Sequence, residues 1–268
     1  MVSIFGLEKF FSNKKYGQSA KDEQMTDSIS SGIQDPIPST IEECEKQIKA
    51  IFKNSSDIII QSFKTPQELA MVVYVDGLVD KDLVDRDAIT PLKSTDFNGD
   101  LSLAIKTHYH EIRDIQSAVN EILQGDTAIF YSGSKTAYIM DFKHWEKRSV
   151  ETPDSETVVR GPREGFTESI RTNTALLRRK IRTPKLVIEN MTIGRQTNTP
   201  IGIVYVEGIV NQTVLKELKS RLCKIDTDAI LESGYIEQYI SENIYSPITG
   251  IGLTQKPDVL AARILEGR

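Results

Sequence analysis

The spacing of apolar and polar residues predicts ordered structure from Ile37 onward. Residues 1–36 pass from a short apolar stretch into a run rich in Ser, Lys, Asp, Gly and Pro. Such a run buries too little apolar surface to offset its ordering entropy, so we expect a flexible N-terminal extension. Its first eleven residues would suit either a short amphipathic helix that docks on a partner or membrane surface, or a frayed terminus.

The first ordered element is predicted to be a helix over 41–53, where apolar residues recur at helical spacing. Thr40 and Glu43 have the spacing of a capping box at its start. Two continuous apolar runs follow, at Ile58–Ile60 and Val72–Val75. Continuous runs are typical of strands that are covered on both faces, so the pattern favours an α/β fold with helices on one or both sides of a sheet.

An internal repeat is the most informative feature of the sequence. Val73–Val79 (VYVDGLV) matches Val204–Val210 (VYVEGIV) in five of seven positions at an offset of 131 residues. The same offset carries Asp80 onto Asn211, and both residue types are good helix N-caps. The repeat therefore predicts two similar α/β lobes that arose by duplication.

Each copy of the repeat also predicts the same turn between its strand and its helix. Val84 and Leu215 fall where each would complete a hydrophobic staple. Gly77 and Gly208 follow the strands, and a single glycine there indicates a structural turn with positive φ better than a phosphate-binding loop.

The two halves differ after their last predicted helices. Ile122–Gly125 resembles Ile264–Gly267, at an offset of 142, and the first half then continues into a predicted β-hairpin over Thr127–Met140. The second half has no counterpart to that hairpin before Arg268, and we therefore expect the chain to be cut from something longer. The predicted organisation is a flexible extension over 1–36, a first subdomain over 37–148, a linker over 149–158, and a second subdomain over 159–268.

Composition narrows the function classes. The 268 residues carry a formal net charge of −5, and such mild acidity argues against wholesale nucleic-acid binding. Cys44 and Cys223 are too few for a disulfide framework or a cysteine-based zinc cluster, so buried free thiols are expected. The sequence lacks a Walker A loop, a nucleophile elbow and a zincin motif. We therefore expect no catalytic residues, no metal ligands and no cofactor.

One basic segment stands out from this acidic background. Between Arg160 and Lys185 there are eight basic residues and only two acidic ones, and the predicted helix within it carries an apolar stripe of Phe166, Ile170, Leu177 and Ile181. Three interpretations remain open: a face toward nucleic acid or phospholipid, a contact with a neighbouring subunit, or a solvated basic face. The candidate contact residues between subunits or lobes are Arg160, Arg163, Glu164, Arg171, Arg178 and Arg179.

Several motifs together resemble one family over about residues 100 to 268. They are Val159–Glu168 (VRGPREGFTE), Arg171–Arg179 (RTNTALLRR), Val204–Gly208, Ile225-Asp226, Ile230–Glu237 (ILESGYIE), Tyr245–Pro247 and Lys256–Arg268 (KPDVLAARILEGR). This set is similar to the A subunit of the spore germinant receptors of endospore-forming bacteria, the GerA family.

The resemblance implies a non-enzymatic role in a receptor of the spore inner membrane. Such a receptor answers nutrients and triggers ion release and germination. The implied partners are a transporter-like B subunit and a lipoprotein C subunit, and A subunits are thought to associate with one another through a membrane region. This chain would then be the soluble region on the spore-core side, built of two α/β subdomains reminiscent of solute-binding proteins.

Two other functions remain as alternatives. A two-lobed module could bind a nutrient between the repeats, which would require an apolar cleft with convergent polar groups. An enzyme acting on a phosphorylated substrate could use Arg160 and Arg163, but no base or nucleophile lies at a recognisable spacing.

Overall fold

A computed structural model describes residues 3–5, 35–94, 105, 107–144, 164–241 and 250–267. Its strands are β1 (Ser3–Phe5), β2 (Ile58–Lys64), β3 (Leu69–Val75), β4 (Tyr109–Ile112), β5 (Thr127–Tyr131), β6 (Ala137–Met140), β7 (Leu186–Ile193), β8 (Thr199–Val206) and β9 (Gly252–Thr254). Its α-helices are α1 (Ile41–Ile51), α2 (Lys81–Val84), α3 (Thr90–Lys93), α4 (Ile115–Gln124), α5 (Ile170–Lys180), α6 (Gln212–Cys223), α7 (Ser233–Ile240) and α8 (Pro257–Leu265), and a π-helical turn over Asp85–Ile89 joins α2 to α3. The mixed α/β fold that the apolar pattern predicts is confirmed.

The first lobe, residues 35–144, is built on an antiparallel five-stranded sheet in the order β2-β3-β5-β6-β4. Its two faces carry separate apolar clusters. One packs under α1 and α4, and the other packs under the helical segment 81–93. The central strand β3 is therefore buried along almost its whole length, which explains its continuous run of apolar residues.

The second lobe, residues 164–267, is built on the antiparallel β7–β8 hairpin. Apolar residues of one face of the hairpin pack with α6 and α7, and those of the other face pack with α5 and α8. Alternate residues of β8 thus enter different clusters, as the two-residue period of a strand requires.

The repeat is visible in the register of the two hairpins. Ile58 pairs with Val75 in the first lobe, and Leu186 pairs with Val206 in the second. Gly77 and Gly208 have φ values of +81° and +86°. Asp80 and Asn211 each accept hydrogen bonds from two backbone N–H groups at the start of the next helix. The predicted glycine turns and N-caps are therefore confirmed.

The later match between the halves is confirmed as well. Helices α4 and α8 end at Gly125 and Gly267, whose φ values of +97° and +82° are typical of glycine after a helix C-terminus. In the first lobe the chain then enters β5 and β6, which form the predicted hairpin.

Three local expectations differ from the structure. Thr40 occupies the N-cap of α1, but its side chain makes no capping hydrogen bond, so the predicted capping box is wrong. Ser3–Phe5 is not a free terminus, since it pairs with β9 as an antiparallel strand. Cys223 is exposed whereas Cys44 is buried, and burial raises the pKa of the Cys44 thiol to about 12.

The predicted linker over 149–158 lies outside the described residues, and so do Arg160 and Arg163. None of the helices in the described ranges combines the length and the apolar character that a membrane span requires.

Candidate functional site

Helix α5 connects the two lobes, because its residues enter both apolar cores. Ala175 belongs to the core of the first lobe, and Leu177 belongs to a core cluster of the second. Six consecutive residues, Asn173 to Arg178, are buried. The helix is thus enclosed on all sides in its middle, whereas the sequence pattern predicts a single apolar stripe. Two members of that stripe, Phe166 and Ile170, are only partly buried.

Arg178 is the most deeply buried charged residue of this connection, with 0% of its side chain exposed. Its Nε donates to one carboxylate oxygen of Asp57 at 2.8 Å, and its Nη2 donates to the other at 2.9 Å. The guanidinium also donates to the backbone oxygens of Thr183 and Leu186. The bidentate pair and the two backbone acceptors together provide acceptors for the N–H groups of the guanidinium. A buried charge is tolerated only when it is paired and hydrogen-bonded in this way.

The acceptor side of this pair comes from the turn before β2 in the first lobe. The Ser55 hydroxyl donates to Asp57 at 2.6 Å and accepts the backbone N–H of Ile188 at 2.8 Å. Ser56 donates to the carbonyl oxygen of Ile188 through both its backbone N–H and its hydroxyl. Ile188 lies in β7, so the first lobe supplies the hydrogen-bond partners of this residue at the outer edge of the second lobe's hairpin.

A second contact between the lobes forms at the glycine turn after β3. Arg171 Nε lies 2.7 Å from Asp76 Oδ1, and Lys81 Nζ lies 3.0 Å from the same oxygen. Directly beside this ion pair, a Cβ atom added to Gly77 would lie 2.9 Å from the Cβ of Ala175. Gly77 is therefore required both for its positive φ and for the close approach of α5.

Within the described part of the chain, the glycine turn of the second copy has no such neighbour. No atom there, apart from those of Gly208 and its two chain neighbours, lies within 4 Å of a Cβ built on Gly208. The two glycines that the sequence makes equivalent thus share a backbone conformation, but only Gly77 takes part in the contact between the lobes.

A cleft of about 390 Å³ lies next to this contact, between α5 and the start of α2. Its lining mixes both signs of charge with hydroxyl groups: Asp80, Asp82, Lys81, Arg171, Arg179 and Ser169 contribute polar atoms. The carboxylate of Asp80 is already used as the N-cap of α2, and Arg171 and Lys81 are paired with Asp76. The cleft could bind a small polar molecule, but most of the charged groups around it already have hydrogen-bond or ion-pair partners within the protein.

The candidate residues from the sequence fall into three groups. Arg171 and Arg178, both on α5, form ion pairs with carboxylates of the first lobe. Glu164 stays within the second lobe, where it lies 3.0 Å from Lys180 and 3.8 Å from Arg179. Arg160 and Arg163 lie outside the described residues.

Sequence reasoning missed Ser55, Ser56 and Asp57. A polar triplet before an apolar strand is an ordinary turn signal, and nothing in it shows that the partner is an arginine more than a hundred residues away. The available hint was an Asp directly before the apolar run Ile58–Ile60, because a carboxylate beside a buried strand end requires a partner.

Comparisons with known proteins find one family that the chain resembles over most of its length. The profile of the Bacillus/Clostridium GerA spore germination proteins matches residues 46–268. Spore germination protein KA of Bacillus subtilis is 36% identical over 88% of this chain and 45% of its own length. Spore germination protein GerLA of Bacillus cereus is 33% identical over 84% of this chain and 48% of its own length. The chain thus spans about half the length of these relatives.

A solved structure has the same fold. It is the N-terminal domain of the A subunit of the Bacillus megaterium spore germinant receptor GerK3, with a TM-score of 0.67 and 31% identity. The match covers 88% of this chain and 91% of that domain.

Proposed function

The chain belongs to the GerA family of spore germination proteins, and from that membership we propose that it is the N-terminal region of a germinant receptor A subunit. In this role it is not an enzyme. It couples the sensing of a nutrient to ion release by taking part in assembly of the receptor and in transmission of the signal. The observation that carries the proposal is the match to the GerK3 A-subunit domain over 91% of that domain.

The contacts between the lobes support a coupling role rather than a hinged one. A module that closes on a ligand needs an interface that opens at low cost. Here Arg178 and Asp57 form a fully buried ion pair across the lobes, and opening that interface would expose two charges that are satisfied only by each other and by nearby oxygens. Helix α5 packs into both cores, so a displacement of one lobe is passed to the other.

The proposed setting follows from the family. The protein lies at the spore inner membrane, with this region on the spore-core side and outside the bilayer. Its partners are a transporter-like B subunit and a lipoprotein C subunit, and A subunits associate with one another in the complete receptor. Arg179, which is partly exposed on α5 and lies 3.8 Å from Glu164, is the candidate residue of α5 for such contacts.

Deletion of the gene tests the proposal. Spores without the protein should lose the response to one class of nutrient and still germinate with a trigger that bypasses nutrient receptors, as followed by the fall in optical density of a spore suspension. The intact gene should restore the response. An unchanged response to every nutrient that the parent spores answer would contradict the role.

A second candidate function is nutrient binding in the cleft between α5 and α2. The observation that favours it is that both carboxylates and cationic groups line this cleft of about 390 Å³. Such a lining suits a zwitterion such as an amino acid. Calorimetric titration of the protein with amino acids and sugars separates the two functions. Saturable heat that is lost when Arg179 is changed to Met would favour the cleft, and its absence at millimolar nutrient would favour coupling alone.

A further inference from the structure

Strand β8 has a free edge in the described part of the chain. It pairs with β7 on one side, and no strand lies on its other side. Its counterpart in the repeat, β3, lies between β2 and β5. An open edge presents unpaired N–H and C=O groups that can pair with another strand.

An apolar groove of about 570 Å³ runs along that edge. All six consecutive residues from Thr199 to Val204 line it. Because successive side chains of a strand point to opposite faces, a groove on one face would be lined by every second residue. A groove lined by all six therefore follows the edge of the hairpin. It also touches both core clusters of the lobe, through residues such as Ile236 on one side and Ile264 on the other.

The hydrogen-bond register shows which backbone groups face the groove. The N–H of Glu207 donates to Lys185 of the neighbouring segment, so residues 201, 203 and 205 of β8 face β7. The N–H and C=O groups of Gly202 and Val204 then point to the free edge. The same alternation explains why Pro200 is tolerated within a strand, since its missing N–H would face away from β7.

The first lobe shows what fills the equivalent place. There β5 pairs with Ala70–Val73, which correspond to Ile201–Val204 at the offset of 131. The carbonyl oxygen of Leu69, the counterpart of Pro200, accepts the N–H of Ser132. Strand β5 begins two residues after Gly125, the glycine that ends α4. The counterpart of Gly125 is Gly267.

We propose that the groove is the docking site of a β-strand that directly follows Arg268 in a longer chain and pairs antiparallel with Ile201–Val204. That strand would complete the second lobe as β5 completes the first, with apolar side chains entering both core clusters. The length of the relatives is compatible with such a continuation, since this chain spans about half of each. The inference rests on the repeat and the groove, not on the proposed function.

Amide hydrogen exchange tests the docking when two chains are compared. One is the 268-residue chain, and the other is extended by about ten of the residues that follow Arg268 in the longer protein, which is enough for one strand. In the longer chain, exchange at Gly202 and Val204 should become slower by about tenfold or more, because their N–H groups gain acceptors. Ile203, whose N–H faces β7, is the internal reference. Equal exchange in the two chains would overturn the proposal. Protection in the shorter chain that increases with protein concentration would also overturn it, because the occupant would then be a second copy.

A matched pair of substitutions tests the apolar part of the groove. Leu231 lines the groove and is 75% exposed, whereas Tyr239 is 47% exposed on α7 and lies outside the lining. Leu231→Glu should lower the urea midpoint of the longer chain and leave that of the shorter chain nearly unchanged. Tyr239→Glu should affect both chains alike. A Leu231→Glu effect that is the same in the two chains would contradict docking.

Discussion

Strands β3 and β8 occupy the same place in the two copies of the repeat, yet their surroundings differ. Six of the seven residues of β3 are buried, whereas only Ile203 and Val206 are buried among the eight of β8. Both strands lead into a positive-φ glycine and a capped helix. Local signals thus specify the strand, the turn and the cap, whereas the burial of the strand depends on what packs along its second edge.

The outer strands of the two hairpins add a second contrast. The outer edge of β7 is occupied by Ser55 and Ser56 of the first lobe and by Arg178 of α5. The two copies of the repeat have therefore diverged at both edges of the hairpin. In the second copy one edge serves the contact between the lobes, and the other opens on the apolar groove.

The largest effect on stability is expected at the buried ion pair of Arg178 and Asp57, which lies at the outer edge of β7. Arg178→Met leaves the Asp57 carboxylate buried without its cation, and it should reduce the free energy of unfolding by about 3–5 kcal/mol, measured by urea denaturation. Arg182→Met is the matched control, because Arg182 is exposed just after the same helix and should change stability by no more than about 0.5 kcal/mol.

The double variant Arg178→Met with Asp57→Leu sharpens this result. It replaces both charges by apolar groups, so it should regain much of the stability that the single variant loses. Equal losses for the Arg178 and Arg182 variants would show that the buried pair does not hold the lobes together. Arg178 is fully buried against Asp57, so it does not belong to a solvated basic face, which was one interpretation of the basic segment.

A smaller effect should distinguish the two glycine turns. Gly77→Ala forces a side chain into positive φ and against Ala175, and it should cost about 2–3 kcal/mol. Gly208→Ala meets open space and should cost about 1 kcal/mol from the backbone alone. Thermal unfolding of the two variants measures the difference. Equal losses of stability in the two variants would mean that α5 moves away from residue 77 without a measurable cost in free energy.

The sequence predicted the features that depend on neighbouring residues. The apolar run of β3, the caps Asp80 and Asn211 and the turns at Gly77 and Gly208 all follow from short segments whose chemistry permits few alternatives. The match between the halves could be extended to the helix ends at Gly125 and Gly267 for the same reason.

The candidate site could be predicted only in part, because it depends on distant pairing. The basic segment drew attention to α5, but a charged helix gives no sign of which arginine is buried. Arg178 and Arg179 are adjacent in sequence, yet the first is enclosed and the second is partly exposed. Their difference arises from the direction in which each side chain leaves the helix, and from a carboxylate at Asp57 that only the tertiary fold brings near.

The smallest effect should appear at the tyrosines of the two equivalent strands. Tyr74 lies in the apolar core of the first lobe, whereas the hydroxyl of Tyr205 donates to Glu189 at 2.5 Å and Lys219 donates to the same carboxylate. Burial and then the Glu189 hydrogen bond raise the pKa of Tyr205, which therefore stays protonated as a donor. Partial burial alone would raise the pKa of Glu189, but the bonds from Lys219 and Tyr205 hold it below its ordinary value.

Tyr205→Phe should therefore cost about 1 kcal/mol at neutral pH, because one hydrogen bond to a charged acceptor is lost. A carboxyl group whose pKa is lower in the folded protein stabilises the fold above its unfolded pKa, and that contribution disappears as the pH falls through the folded value. The difference between the wild type and the variant should accordingly shrink below about pH 4.5, the ordinary pKa of Glu189. Urea denaturation at pH 7 and near pH 3 measures both values, with Tyr235→Phe, a partly exposed tyrosine on α7, as the control. A Tyr205→Phe effect that is independent of pH would show that the hydroxyl contributes by packing and not through Glu189.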